Sequence, residues 1–132
     1  MIDHLMTYAD EATAAAAPEL AAYRDGEAWD TSRVIAGVSV YRHLGTEIVT
    51  DPEGDWPREI RDPLAGWFLV VALPTRDAAL ETAACVLIAD RDAGTILHTI
   101  TTAEDLATLR LEPVFAGSAY PFGAPVVPPT ST

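Results

Sequence analysis

The alternation of apolar and polar positions divides this chain into extended runs separated by turn chemistry. Val34, Ala36, Val38 and Val40 fall on one side of a run whose other side carries Ile35, Gly37, Ser39 and Tyr41, the period-two pattern of a strand. His43-Leu44-Gly45-Thr46 then predicts a hairpin loop into a short second strand, Glu47 to Thr50. Trp67-Phe68-Leu69-Val70-Val71-Ala72-Leu73 is continuously apolar and stops at Pro74, as expected of a central strand buried on both faces. Val86 to Ala89 and the β-branched run Thr95 to Ile100 read as strands around the turn Asp90-Arg91-Asp92-Ala93-Gly94, and Leu109 to Phe115 as a last strand. Ile2 to Tyr8 alternates only weakly, which predicts a short edge strand.

Helical signals are brief. Thr7 and Asp10 have the spacing of an acidic capping box, and Asp10 is itself a candidate cap for the alanine run Glu11 to Ala17. Pro18 cannot continue that helix and either kinks it or opens a further turn to Arg24, closed by Asp25-Gly26. Asp77 to Ala84, with Thr75 or Asp77 as cap, predicts a short helix, and Thr102 opens another with Asp105 at its third position. Asp51 to Pro63 carries three prolines and alternating charge, which predicts a surface loop of the length that commonly serves function.

Strand, helix, strand, strand, helix, strand is therefore the order from Trp67 to Phe115, the split βαβ order of ferredoxin-like domains. The expected fold class is α+β: one domain over residues 1–122, mostly antiparallel sheet with short helices, and an extended tail over residues 123–132. Pro125, Pro128 and Pro129 give that tail a polyproline-like character. With 132 residues, 49% of them apolar and 21% charged, the chain is long enough to bury one sizeable core.

Composition removes several function classes. The sequence has no lysine, asparagine or glutamine, and all eight basic residues are arginine. Lysine-dependent chemistry is excluded with them: no Schiff base forms, and no Walker loop can be completed. The alanine- and arginine-rich bias is most simply that of a GC-rich coding sequence. A net charge of −12, with arginines scattered along the chain, repels phosphate backbones and argues against nucleic-acid partners. Cys85 is the sole cysteine, in the apolar setting Ala83-Ala84-Cys85-Val86-Leu87-Ile88, and reads as a buried small hydrophobe. Residues 1–4 lack the form of a secretory signal and the longest apolar run is far short of a membrane span, so the expected location is the cytoplasm, with no membrane partner.

Candidate chemistry is sparse. His4, His43 and His98 have no metal-ligand spacing, Gly37-Val38-Ser39-Val40-Tyr41 is half of a nucleophile elbow set within a strand pattern, and Ser118 has no identifiable histidine partner. Asp10/Glu11, Asp90/Asp92 and Glu104/Asp105 are accounted for by capping and turn roles; Asp90 to Gly94 lacks the ligand set of a calcium loop. No catalytic, cofactor or metal residue is assigned and no cofactor is expected. The aromatics are more informative. Trp29 and Trp56 fall in predicted loops, and Phe115, Tyr120 and Phe122 cluster near the end; such residues anchor interfaces at small entropic cost, or else cap the edge of a local core.

Two stretches, His4-Leu5-Met6-Thr7-Tyr8-Ala9-Asp10-Glu11-Ala12 and Arg110-Leu111-Glu112-Pro113-Val114-Phe115-Ala116-Gly117-Ser118-Ala119-Tyr120-Pro121-Phe122, resemble small proteins of phage or prophage tail modules. The resemblance covers about a fifth of the chain and brings no active site. It implies a virion-associated structural role, in a tail or baseplate. The leading expectation is a non-enzymatic structural or assembly protein acting through protein contacts, with partner-binding residues Trp29, Trp56, Tyr120, Phe122, Pro125, Pro128 and Pro129. Its partners would be larger virion proteins or further copies of itself. Two alternatives stand beside it: a small ligand-binding or hydrolytic domain with a pocket near Asp51 to Pro63, and an acidic regulator that binds a basic protein.

Overall fold

The computed structural model describes residues 1–100, 105 and 108–112. Its elements are β1 (Ile2–Tyr8), α1 (Glu11–Ala16), a 3-10 helix Pro18–Tyr23, β2 (Arg24–Asp25), β3 (Ala28–Trp29), β4 (Val34–Asp51), β5 (Gly54–Pro63), β6 (Trp67–Leu73), a 3-10 turn Ala78–Leu80, β7 (Cys85–Asp90), β8 (Thr95–Thr99) and β9 (Leu109–Glu112). The domain is dominated by antiparallel sheet, with few and short helices. Hydrogen-bonded neighbours run β5-β4-β6-β1-β7-β8, β9 pairs β4, and β2-β3 forms a separate small hairpin.

β1 is central rather than an edge. β6 pairs it from Ile2↔Leu73 to Tyr8↔Trp67, and β7 takes its other side from Ile2↔Asp90 to Met6↔Cys85. Its weak alternation follows from burial on both faces, since a strand covered twice has no polar side to display. Leu5 packs with Val38, Val40, Phe68, Val70, Leu87, Leu109 and Leu111 on one face of the sheet. On the other face, Met6, Leu69, Val71, Leu73 and Ile88 meet Ala14 of α1, Leu20 and Tyr23 of the first 3-10 helix, and Leu80 of the second. The apolar run of β6 is thus shared between two cores, with Leu69, Val70 and Val71 fully buried. Each such side chain contributes roughly 1.5–3 kcal/mol of transfer free energy.

β4 is the long element. Its 18 residues pair β6 through Val34–Val38, β9 through Ser39–Arg42 and β5 through Tyr41–Asp51. The Leu64 N–H donates to the Val40 carbonyl at 3.0 Å, carrying the chain from β5 into β6 while it stays beside β4. An extra residue at Gly37, held at φ +70°, shifts the β4–β6 register there, and the Trp67 indole lies 3.8 Å from where a Cβ would stand.

No turn breaks β4 at His43-Leu44-Gly45-Thr46. The expected hairpin loop is a bulge, with Leu44 as the unpaired residue between His43↔Arg61 and Gly45↔Ile60. The expected loop Asp51 to Pro63 is a correction of the same kind, being mostly β5. Prolines are tolerated there because Leu64 turns its N–H towards β4, so Pro57 and Pro63, an odd number of residues away, turn their nitrogens to the outer edge, where no donor is required.

Asp10 caps α1 as expected, its Oδ1 accepting the Thr13 N–H at 2.7 Å. The helix expected over Asp77 to Ala84 is only the turn Ala78–Leu80. Asp77 caps it through the Ala79 N–H, and Thr82 then closes a further turn, its hydroxyl accepting from Ala84 N and its carbonyl from Cys85 N. Trp29 lies in β3, not in a loop. The ferredoxin-like order expected over residues 67–115 finds no support in the pairings, because β6 lies between β4 and β1 while β9 pairs β4. Asp105 and Thr108 are helical, in line with the helix expected from Thr102. The remainder of that helix, residues 113–115 of the last expected strand and the tail over 123–132 lie outside the described residues. Among the described residues no helix is long and apolar enough to cross a membrane.

Two buried polar side chains hold β1 in place. Asp3 is clamped by Arg91 from the end of β7, with Nε to Oδ2 at 2.9 Å and Nη2 to Oδ1 at 2.6 Å. His4 points into the opposite face, fully buried. Its Nε2 accepts the Asp77 N–H at 3.0 Å, so Nδ1 carries the proton and donates to the Val71 carbonyl at 3.0 Å. Burial lowers the His4 pKa below 6.5, outweighing the opposing bond to Val71 and the carboxylates of Asp77, Asp3 and Glu81. The unfolded chain therefore binds a proton that the folded chain refuses, and stability falls as pH drops through 6.5.

His4→Leu should lose about 2–4 kcal/mol at neutral pH through the two orphaned backbone groups. Its urea midpoint should change less between pH 7.5 and 5.5 than that of the wild type. An equal pH dependence in both proteins would contradict the neutral-histidine assignment.

Candidate functional site

The distal parts of β4 and β5 leave the sheet as a two-stranded ribbon. Ten pairs link Tyr41–Asp51 to Gly54–Pro63, and the turn at the tip is Pro52-Glu53. Beyond Arg42 no described residue pairs with the other edge of β4, and none pairs with the outer edge of β5. Such a ribbon has unpaired backbone groups along both sides, a template for pairing with another chain. A free two-stranded hairpin is marginal in water, so side-chain bonds must support this one.

Those bonds are present on both ribbon faces. Directly opposed residues share a face. One face carries Glu47 opposite Arg58, joined as an ion pair, with Val49 and Trp56 on the tip side and Ile60 on the root side. Trp56 donates its indole N–H to Asp51 Oδ2 at 2.9 Å, and the Glu53 N–H bonds to Asp51 Oδ1 at 2.8 Å. The Trp56 bond, followed by that of Glu53, holds the Asp51 carboxyl below its ordinary pKa of 3.8 and thus ionised. The tip therefore presents an indole bonded to the Asp51 carboxylate, with Glu53 and Asp55 beside them in the chain.

At the root, the other face is organised by Glu59. Its carboxylate accepts from Arg61 Nε at 2.6 Å, pairs with His43 Nδ1 at 2.5 Å and accepts from the Tyr41 hydroxyl at 3.2 Å, and the Arg61 guanidinium lies 4.3 Å above the Tyr41 ring. Burial raises the Glu59 pKa, yet the bonds from His43, Arg61 and Tyr41 outweigh it and leave the carboxyl below 4.5. The cluster joins β4 to β5 where the ribbon leaves the sheet. Ile48 at 66%, Trp56 at 44% and Ile60 at 37% of full exposure remain uncovered along it.

Comparison of the chain with protein-family models, with curated proteins and with solved structures finds no match.

Of the residues expected at an interface, Trp56 stands at the ribbon tip. Trp29 has a local role: it stacks on Trp67 at 5.8 Å, donates to Glu11 Oε2 at 3.0 Å and lies beneath the Arg24 guanidinium at 4.4 Å. It lines a cleft of about 640 Å³ with Glu11, Arg24 and Thr31. Tyr120, Phe122, Pro125, Pro128 and Pro129 lie outside the described residues. Sequence reasoning missed Ile48, Glu59 and Ile60. The signal for them was the charge match of Glu47 with Arg58 about the Pro52-Glu53 turn, which sets the register.

Among the described residues, several groups that could have carried chemistry are accounted for structurally. Ser39 is exposed in mid-strand, Asp90 accepts the Asp92 and Ala93 N–H groups of its turn, and Asp92 pairs with the amino terminus at 2.6 Å. Burial pushes the Cys85 thiol up to about 11, which removes its thiolate at neutral pH. Among the described residues no three His, Cys, Asp or Glu side chains are grouped to hold a metal ion.

Glu59→Ala should speed amide exchange over Thr46–Arg58 by about tenfold, because three bonds at the root are lost together, while exchange in β1 and β6 stays unchanged. In the wild type the same loosening should begin only as pH falls below 4.5, since a depressed carboxylate pKa stabilises above that value and ceases to when the group protonates. Unaltered ribbon exchange in Glu59→Ala would contradict the bracing role.

Proposed function

We propose that this chain is a non-enzymatic assembly protein that engages a protein partner through its β4–β5 ribbon. The observation that carries the reading is a ten-pair ladder whose eight pairs beyond Arg42 have no further strand partner among the described residues, with exposed Trp56, Ile48 and Ile60 and a braced root. Ordering a ribbon in advance lowers the conformational cost of docking. The chemistry of the tip selects the partner. Three carboxylates within the tip segment, Asp51, Glu53 and Asp55, together with exposed Trp56 in a chain of net charge −12, call for a basic protein surface with an apolar recess for the indole. The expected acidic-regulator behaviour and the expected assembly role thereby converge on one surface. Two copies of so acidic a chain repel one another, which favours a different protein over self-association.

The narrower form of the proposal places the chain in a phage tail or baseplate, on the resemblance of residues 4–12 and 110–122 to proteins of such modules. In that setting a projecting ribbon adds a strand or a wedge to a neighbouring subunit.

Three forms of the chain test this: wild type, Trp56→Ala, and a trimmed form in which Asn-Gly replaces Glu47–Arg58 between the paired residues Thr46 and Glu59. Each is used to capture partners from the native source, and the melting temperature is measured in parallel. The wild type should retain a basic protein in fixed stoichiometry. Trp56→Ala should bind it about 30-fold more weakly, and the trimmed form should fold and not bind. Equal retention by the trimmed form, or no partner for the wild type, would overturn the proposal.

A further inference from the structure

The edge of β4 that β9 pairs is left open nearer the start of the strand. The Arg33 carbonyl accepts the Ala72 N–H at 2.7 Å, so Arg33 and Ile35 turn their backbone groups to β6, and Val34 and Ala36 turn theirs to the opposite edge. The Val34 N–H is taken by the Asp30 carbonyl at 2.8 Å. Ala36 is exposed and, among the described residues, neither its N–H nor its carbonyl has a partner. β9 occupies the same edge along Ser39–Arg42, so a further strand fits there in line with it. A half-buried indole adds a third group. Trp67 Nε1, which bonds no described residue, lies 3.8 Å from where a Cβ on Gly37 would stand.

The open edge borders the cleft of about 640 Å³ that Trp29 lines. Directly opposed residues of a ladder share a face, so a residue paired with Ala36 puts its side chain on the face that Ala36 shares with Val34, over which α1 packs. There the cleft opens between α1, with Ala12 and Ala15, and the β2–β3 hairpin, with Ala28 and Trp29. Three alanines leave room for a long side chain, and Glu11 and Glu27 stand one on each wall. Arg24, the cation among these lining residues, is engaged: its guanidinium covers the Trp29 ring at 4.4 Å and donates to the Glu27 carbonyl at 2.7 Å. Glu11 accepts the Trp29 indole N–H through Oε2 alone, and the Glu27 carboxylate bonds no described residue. The cleft therefore suits a cation on an apolar stem.

We infer that this cleft docks an extended basic segment of another protein, which pairs with Ala36 as a short strand in line with β9 and places a basic side chain against Glu11 and Glu27. The strand edge requires an extended backbone, and the two carboxylates, in a chain of net charge −12, select the cation. The inference does not rest on the ribbon's partner, since no residue of Tyr41–Pro63 lines the cleft.

Three pentapeptides separate the contributions when titrated into the full chain: acetyl-Thr-Thr-Arg-Thr-Thr-amide, the same peptide with citrulline for arginine, and the same peptide methylated on the backbone nitrogen of its arginine. Citrulline keeps the shape and removes the charge. The methyl group removes the donor that would meet the Ala36 carbonyl. The readouts are the amide resonances of Ala36 and Gly37, the Trp67 Nε1–H resonance and the exchange rate of the Ala36 N–H. The arginine peptide should shift these resonances saturably, move the Ala36 N–H downfield and slow its exchange, binding about tenfold more tightly than either of the other two. Glu27→Gln, at a carboxylate that bonds no described residue, should reduce the preference for arginine over citrulline to about threefold. The inference is overturned if no peptide shifts Ala36 saturably, if the citrulline or the methylated peptide binds as tightly as the arginine peptide, or if Glu27→Gln keeps the full preference. Slow exchange of the Ala36 N–H in the free chain would overturn it as well, because the chain itself would then cover the edge.

Discussion

The structure depends on how β4 distributes its backbone. An eighteen-residue strand must find partners for its hydrogen-bonding groups, and the nearby chain supplies them in instalments: β6 along Val34–Val38, β9 along Ser39–Arg42, and β5 from Tyr41 outward. The first two lie over the apolar cores. Among the described residues the third has only its own side chains for cover. That division makes one continuous strand both a wall of the core and one half of a projecting ribbon. The bulges at Gly37 and Leu44 sit close to the two places where its partnership changes.

The middle of the sheet is secured differently. β1 is paired on both edges and covered on both faces, so polar residues within it need internal partners. Asp3 and His4 are adjacent and face opposite ways. The carboxylate meets Arg91, the residue that follows β7, and the imidazole joins the Val71 carbonyl of β6 to the Asp77 N–H that precedes the 3-10 turn. These contacts tie neighbouring elements to β1 in a single register, since a slip by one residue would exchange the two side chains between faces. Tyr23 extends the network with a 2.5 Å bond to Asp77 Oδ2, so the helical layer over the second core is fastened to the same loop.

Much of this fold was legible in the sequence. β6 was plain from seven unbroken apolar residues, and β4 from its alternation between Val34 and Tyr41, although the bulge at Gly37 puts Val34 on the opposite face from Val38 and Val40. The Asp10 cap, the Asp90 turn and the buried character of Cys85 were legible as well. What misled was local chemistry whose meaning is set by tertiary position. The weak alternation of Ile2–Tyr8 resembles an edge strand, but here it reflects two buried faces. Pro57 and Pro63 argue for a loop until it is known that their nitrogens face an unpaired edge. His43-Leu44-Gly45 has turn composition yet forms a bulge, because the ladder on either side resumes its register. The ribbon was therefore hidden in a segment read as irregular, and with it Glu59, Ile48 and Ile60. The cleft beside Ala36 could not be read from sequence, since Glu11, Glu27, Trp29 and Ala36 are brought together only by the fold.

The two surfaces proposed for function lie on one strand. Tyr41, stacked under Arg61 and bonded to Glu59, belongs to the cluster at the root of the ribbon. Ala36 lies nearer the start of β4, before the stretch that β9 pairs. β9 takes the backbone groups of Ser39 and Tyr41 on the edge to which Ala36 is open, so a strand added at Ala36 ends where β9 begins. The ribbon is thereby kept out of that contact, and the cleft and the ribbon tip are free to be held at once, by two chains or by two segments of one.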